Sequence, residues 1–187
     1  MRKRLLITST VLAVSLAGCG AGSDNPEPEQ PAHEETGDHN SENHHGDHSS
    51  SGEVPEGLKE ADNPSYPVGS KATMEANHMP GMKGTEATIV GAYTTTAYAV
   101  SYTSTTGEAP VENHKWVIHE ELEGYKEEAY APGDTVVINA DHMEGMDGAE
   151  AVIDSSEQTT VYMVDFEADG ERVQNHKWVT EEELRSP

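Results

Sequence analysis

Asn77-His78-Met79-Pro80-Gly81-Met82-Lys83-Gly84 returns later in the chain as Asp141-His142-Met143-Glu144-Gly145-Met146-Asp147-Gly148. The residues just downstream return too: Glu86-Ala87-Thr88-Ile89 becomes Glu150-Ala151-Val152-Ile153. Further on, Asn113-His114-Lys115-Trp116-Val117 recurs as Asn175-His176-Lys177-Trp178-Val179, and Glu120-Glu121-Leu122 as Glu182-Glu183-Leu184. Tyr66-Pro67-Val68-Gly69 matches Tyr130-Ala131-Pro132-Gly133 in part. The copies lie 64 residues apart at His78 and His142 but 62 apart at His114 and His176, so a loop in the second copy is shorter by two residues. Self-similarity at a fixed period marks a duplicated structural unit.

Each copy reads as β. Residues 135–140, 149–154, 160–166 and 172–179 are short runs rich in strand formers, several alternating with period two. The first copy supplies 85–91, 97–103 and 110–117. Gly145, Gly148 and Gly170 mark turns between runs of the second copy. A two-stranded hairpin is marginal alone, so a few short strands must curl on themselves to enclose a core. The strand order resembles the SH3-like barrel of KOW-type domains. The expectation is an all-β chain with two tandem small barrels at residues 65–123 and 129–187, joined by an acidic segment. A single intertwined sandwich is the alternative.

Outward from the repeats, the N-terminus has Arg2, Lys3 and Arg4 ahead of an apolar run, then Leu16-Ala17-Gly18-Cys19. About a dozen apolar residues are too few to span a bilayer, so residues 1–18 read as a signal peptide. Small residues ahead of a lone cysteine look like a bacterial lipobox, with lipid attached to Cys19. That places the chain on the outer face of a membrane. Residues 19–64 are acidic, polar and nearly free of large apolar side chains, which predicts a disordered tether. His33, His39, His44, His45 and His48 lie in it among acidic residues. Such tracts bind metals weakly through neutral imidazole, or serve only as polar spacers.

The formal net charge of -24 argues against nucleic acid as a partner. Cys19 is the only cysteine, so disulfides and thiolate metal sites are excluded from the exported part. The remaining chemistry lies in His-Met-x-x-Met. Thioethers are soft ligands suited to Cu(I) and poorly suited to Mg(II) or Ca(II). The first motif offers His78, Met79 and Met82, and the second His142, Met143 and Met146. Methionine also fills cores, and for Met82 and Met146 the two roles stand level. His114 and His176 are further candidate ligands. Each precedes a tryptophan by two positions, which on a regular strand faces the same side. Trp116 and Trp178 are thus either core aromatics or cation–π partners of a bound ion. One pocket per repeat is expected, with His, Met and Trp of the same copy.

Over residues 66–184 these motifs resemble the YdhK family of Gram-positive lipoproteins, which includes the staphylococcal copper-resistance lipoprotein CopL. The resemblance implies an extracytoplasmic copper-binding protein that aids tolerance to excess copper, with Cu(I) favoured and Cu(II) the second candidate cofactor. A copper exporter is a candidate partner. Pro80 against Glu144 and Lys83 against Asp147 imply sites of unequal affinity. A wall-associated module binding peptide or glycan is the competing expectation. No nucleophile–base pair, phosphate loop or His-Glu-x-x-His helix argues for an enzyme.

Overall fold

A computed structural model describes residues 49–187. The signal segment, Cys19 and the five tether histidines His33, His39, His44, His45 and His48 lie outside the described residues. Among the described residues no helix is long and apolar enough to cross a membrane.

Over the described residues the chain is all-β apart from two short 3-10 turns. Its strands are β1 (Lys59–Glu60), β2 (Lys71–Met74), β3 (Glu86–Tyr102), β4 (Val111–Ile118), β5 (Thr135–Val137), β6 (Glu150–Ala168), β7 (Glu171–Thr180) and β8 (Leu184–Arg185). The 3-10 turns, His119–Glu121 and Glu181–Glu183, follow β4 and β7. All pairings are antiparallel in one sheet, running β5-β6-β3-β2-β8, with β1 and β4 also on β3 and β7 also on β6.

β3 and β6 organise everything else. They have 17 and 19 residues and pair from Thr88–Asp165 to Tyr102–Ala151. The runs expected as separate strands, 85–91 with 97–103 and 149–154 with 160–166, are fused here. The physical reason lies between them. Thr94-Thr95-Thr96 and Gln158-Thr159-Thr160 carry β-branched residues and no turn-forming pair, so each strand runs straight on. The register slips between Ile89 and Gly91 and between Ala99 and Val100. Val90 and Asp154 are therefore the extra residues, and they occupy equivalent places in the two copies. Such bulges bend and twist a ribbon.

The bent ribbon builds two lobes, and each draws on both repeats. One core packs Met74, Met82 and Ile89 of the first copy against Tyr162, Val164, Phe166, Val179 and Leu184 of the second. The other packs Ile138, Met146 and Ile153 against Tyr98, Val100, Val117 and Leu122. Between them lies a third cluster with Trp116, Trp178, Ile118, Val161 and Met163. The tails cross as well: β8 pairs with β2 through Met74–Leu184, and Leu122 bridges Ile138. The expectation of two closed barrels at 65–123 and 129–187 is thus corrected. The sheet is open and the copies are interlocked, because neither long strand turns back on its own repeat.

The tether boundary moves too. Leu58 packs on the central cluster, and β1 pairs Lys59 with Thr94 and Glu60 with Tyr93. Ser50 and Asn175 exchange hydrogen bonds, with Ser50 Oγ donating to the Asn175 carbonyl at 2.7 Å and Asn175 Nδ2 donating to the Ser50 carbonyl at 3.1 Å. Residues 49–64 therefore belong to the folded body. A chain ending at residue 124 should show no cooperative unfolding transition by circular dichroism. It would lack β6, leaving β3 without its main partner and one core without Tyr162, Val164, Phe166 and Leu184.

Candidate metal-binding cleft

The two His-Met turns follow β2 and β5. Gly81 and Gly145 have φ of 75° and 74°, in the left-handed region that favours glycine. A Cβ on Gly145 would fall 2.0 Å from Ser104 Oγ, so this turn also needs glycine for space. His114 and His176 lie on β4 and β7, each after an asparagine with φ of 51°. Asparagine tolerates that conformation better than most residues. The Lys115–Trp116 and Lys177–Trp178 peptides are both cis.

The local irregularity splits the expected pocket of one repeat: His114 turns to the other copy while Trp116 stays beside His78 of its own. Tyr98 pairs with Val117 and Val100 with His114, a register slip that breaks strict alternation between His114 and Trp116. The His114 ring lies 6.4 Å from that of His142, in the other copy. Trp116 instead lies 6.5 Å from His78. The cation over Trp116 is Lys115, 4.8 Å from the ring centroid, and over Trp178 it is Lys177, at 5.8 Å.

His78, His114, His142 and His176 all line one cleft of about 660 Å³, together with Met79 and Met143. Ser49, the residue after His48, lines it too. Met82 and Met146 do not. Both are fully buried, one in each lobe's core. Of the two roles open to Met82 and Met146, metal ligand or core filler, their positions are those of core filler: each turn leaves its first methionine at the cleft and folds the second inward. Among the described residues, no three His, Asp or Glu side chains are grouped so as to hold a metal.

Two glutamates that sequence reasoning passes over hold two of the cleft histidines. Glu121 Oε1 lies 2.7 Å from His142 Nε2. Its carboxylate also accepts from Trp178 Nε1 at 3.1 and 3.0 Å and from the Ile118 N–H at 3.1 Å. Glu183 repeats this arrangement, with His78 Nε2 at 2.7 Å, Trp116 Nε1 at 2.8 Å and the Thr180 N–H at 3.1 Å. Each glutamate reaches the His and Trp of the opposite copy. Their only signal in the sequence is the recurrence of Glu-Glu-Leu at the repeat spacing. His78 Nδ1 and His142 Nδ1 are buried and have no hydrogen-bond partner among the described residues.

This duplicated module is a known one. The model of the protein of unknown function family DUF1541 matches residues 68–119 and again 132–181. The chain belongs to the DUF1541 family. The uncharacterized protein YdhK of Bacillus subtilis strain 168 is 50% identical over 175 residues, which cover 92% of this chain and 83% of YdhK. A crystal structure of the DUF1541 protein ydhK from Bacillus subtilis superposes with a TM-score of 0.73 at 57% identity, covering 75% of this chain and 97% of that one. A solution structure of the ydhK C-terminal domain gives a TM-score of 0.62 at 56% identity, covering 64% and 92%. The YdhK resemblance read from the motifs therefore holds.

Burial pushes the Glu183 carboxyl up. The hydrogen bond and charge of His78, then the N–H groups of Thr180 and Trp116, outweigh this and hold it below its ordinary 4.5. A carboxyl depressed in the folded state stabilises the fold above its unfolded pKa, and that contribution drains away as pH falls through the folded value. The melting temperature should therefore drop below about pH 4.5. In Glu183→Gln the drop should be shallower, which calorimetry across pH 3–7 would read.

Proposed function

We propose that this chain is an extracytoplasmic copper-binding lipoprotein that takes Cu(I) as cargo in the cleft and buffers it at the membrane surface. The observation that carries this reading is the convergence of four histidines and two methionines from both repeats on one cleft. Imidazole with thioether is a soft set, and soft sets select Cu(I) over hard divalent ions. The lipobox reading of Cys19 puts the protein in an oxidising space, where thioethers outlast thiols as ligands. The tether histidines would collect Cu(II) loosely and join the folded body at Ser49, beside the cleft. Handover to an exporter fits the same location. No enzymatic step is proposed.

The test is competition for Cu(I) between the mature chain, with Cys19→Ser for solubility, and a coloured Cu(I) chelator. Affinity tighter than about 1 μM is expected. It should weaken in Met79→Leu with Met143→Leu, and weaken further in His78→Ala with His142→Ala. Binding weaker than this, or unchanged in both variants, rejects the reading.

A further inference from the structure

We propose that Glu121 and Glu183 are positioning residues for the bound ion. Each holds a cleft histidine with its Nε2–H on the carboxylate, so that Nδ1 of His142 and Nδ1 of His78 are the atoms that take a soft monovalent cation. The inference rests on the copper reading of the cleft and deepens it by naming the ligating atoms and what aims them.

For a neutral imidazole, the hydrogen-bond pattern sets the tautomer. An ionised carboxylate only accepts. Apart from the ambivalent imidazole, the groups bonded to the Glu121 carboxylate are donors: the indole N–H of Trp178 and the backbone N–H of Ile118. Glu121 is 2% exposed, so water does not compete for it. His142 must therefore present Nε2–H to it, which leaves the lone pair on Nδ1. That atom is buried without a partner among the described residues. A buried polar atom in this state calls for an explanation, an ion being one of the usual ones. The same pattern occurs independently at Glu183, His78 and Trp116, and His78 Nδ1 is again buried and unpartnered among the described residues. Two copies of one arrangement, each ending on an idle Nδ1 beside a cleft, are hard to ascribe to packing alone.

The neighbours suit an ion there. With metal–nitrogen bonds near 2.0–2.1 Å and a ring radius of about 1.1 Å, two imidazoles that share one ion have centroids up to roughly 6.4 Å apart, a span reached only with the ion in line between the two nitrogens. His114 and His142 are 6.4 Å apart, at the extended end of that span. Met143 lines the same cleft and is 37% exposed. His142 and Met143 come from one repeat, while His114 and the aiming Glu121 come from the other. The site is thus assembled only when both copies interlock. A carboxylate on the far nitrogen also raises imidazole basicity, and hence its strength as a ligand.

Silver(I), a redox-inert stand-in for Cu(I), provides the test. In the full-length mature chain labelled with nitrogen-15, histidine side-chain spectra should show His78 and His142 as Nε2–H tautomers before metal is added. His78→Gln and His142→Gln spectra assign the signals. Adding Ag(I) should shift Nδ1 of both residues and leave Nε2 protonated. Glu183→Gln, at the more exposed of the two sites, should allow the other tautomer and weaken Ag(I) binding by about 10–100-fold. Nδ1–H tautomers in the metal-free wild type, or ligation through Nε2, would overturn the proposal while leaving the copper reading intact. So would Glu183→Gln with unchanged tautomer and affinity. Failure of Ag(I) to perturb any cleft histidine would overturn both.

Discussion

Replacing Glu121 by leucine is expected to cost the fold about 3 kcal/mol or more, because three groups lose one shared acceptor and each orphaned buried donor costs about 1–3 kcal/mol. The expected readout is a lower urea midpoint with an unchanged slope. The size follows from what is left behind. The indole N–H of Trp178, the Ile118 N–H and the His142 imidazole all lose their acceptor at once. Trp178 is fully buried, so no water reaches its N–H. Leucine fills the volume but accepts nothing, and orphaned buried donors each pay most of their desolvation cost. Glu183→Leu should cost less, because the Glu183 side chain is 17% exposed against 3% for Glu121. Equal and small costs for both would mean that these carboxylates are incidental to the fold.

The two methionines of each turn should separate just as sharply. Met82→Ala and Met146→Ala should each destabilise by roughly 2–5 kcal/mol, the range for emptying a filled core position. Both side chains are fully buried among residues of two repeats, with little room to collapse. Met143→Ala should fall within about 0.5 kcal/mol, as for other exposed positions, yet weaken Cu(I). Met79 packs partly on a core and should lie between them. Denaturation and Cu(I) competition on the same four variants read both effects. Loss of copper affinity in Met82→Ala at conditions where it stays folded would restore the second methionine as a ligand.

Much is legible in the chain before any fold is known. Repeats of His-Met-x-Gly-Met-x-Gly and Asn-His-Lys-Trp are local facts, and so is the β character of Thr-, Val- and Tyr-rich runs. The candidate histidines stand out because imidazole is rare and its recurrence at fixed spacing is hard to miss. Glu121 and Glu183 do not, because a glutamate within an acidic stretch looks like any solvated one. Only burial beside an indole and an imidazole distinguishes them. The strand breaks expected near Gly91 and Asp154 fail for a related reason. Glycine or an acidic residue signals a turn as readily as it signals a bulge, and pairing with a distant strand decides which occurs.

The duplication, the all-β class and the soft character of the candidate donor side chains are thus determined by the sequence alone, since residue type and period suffice for each. Which copy supplies which part of the cleft is decided only in three dimensions. β3 and β6 find each other rather than folding back, and that long-range pairing crosses His114 over to His142 and Glu183 over to His78. Local propensity carries no information about such a choice. It depends on the combined burial of two repeats, which no single stretch of sequence contains.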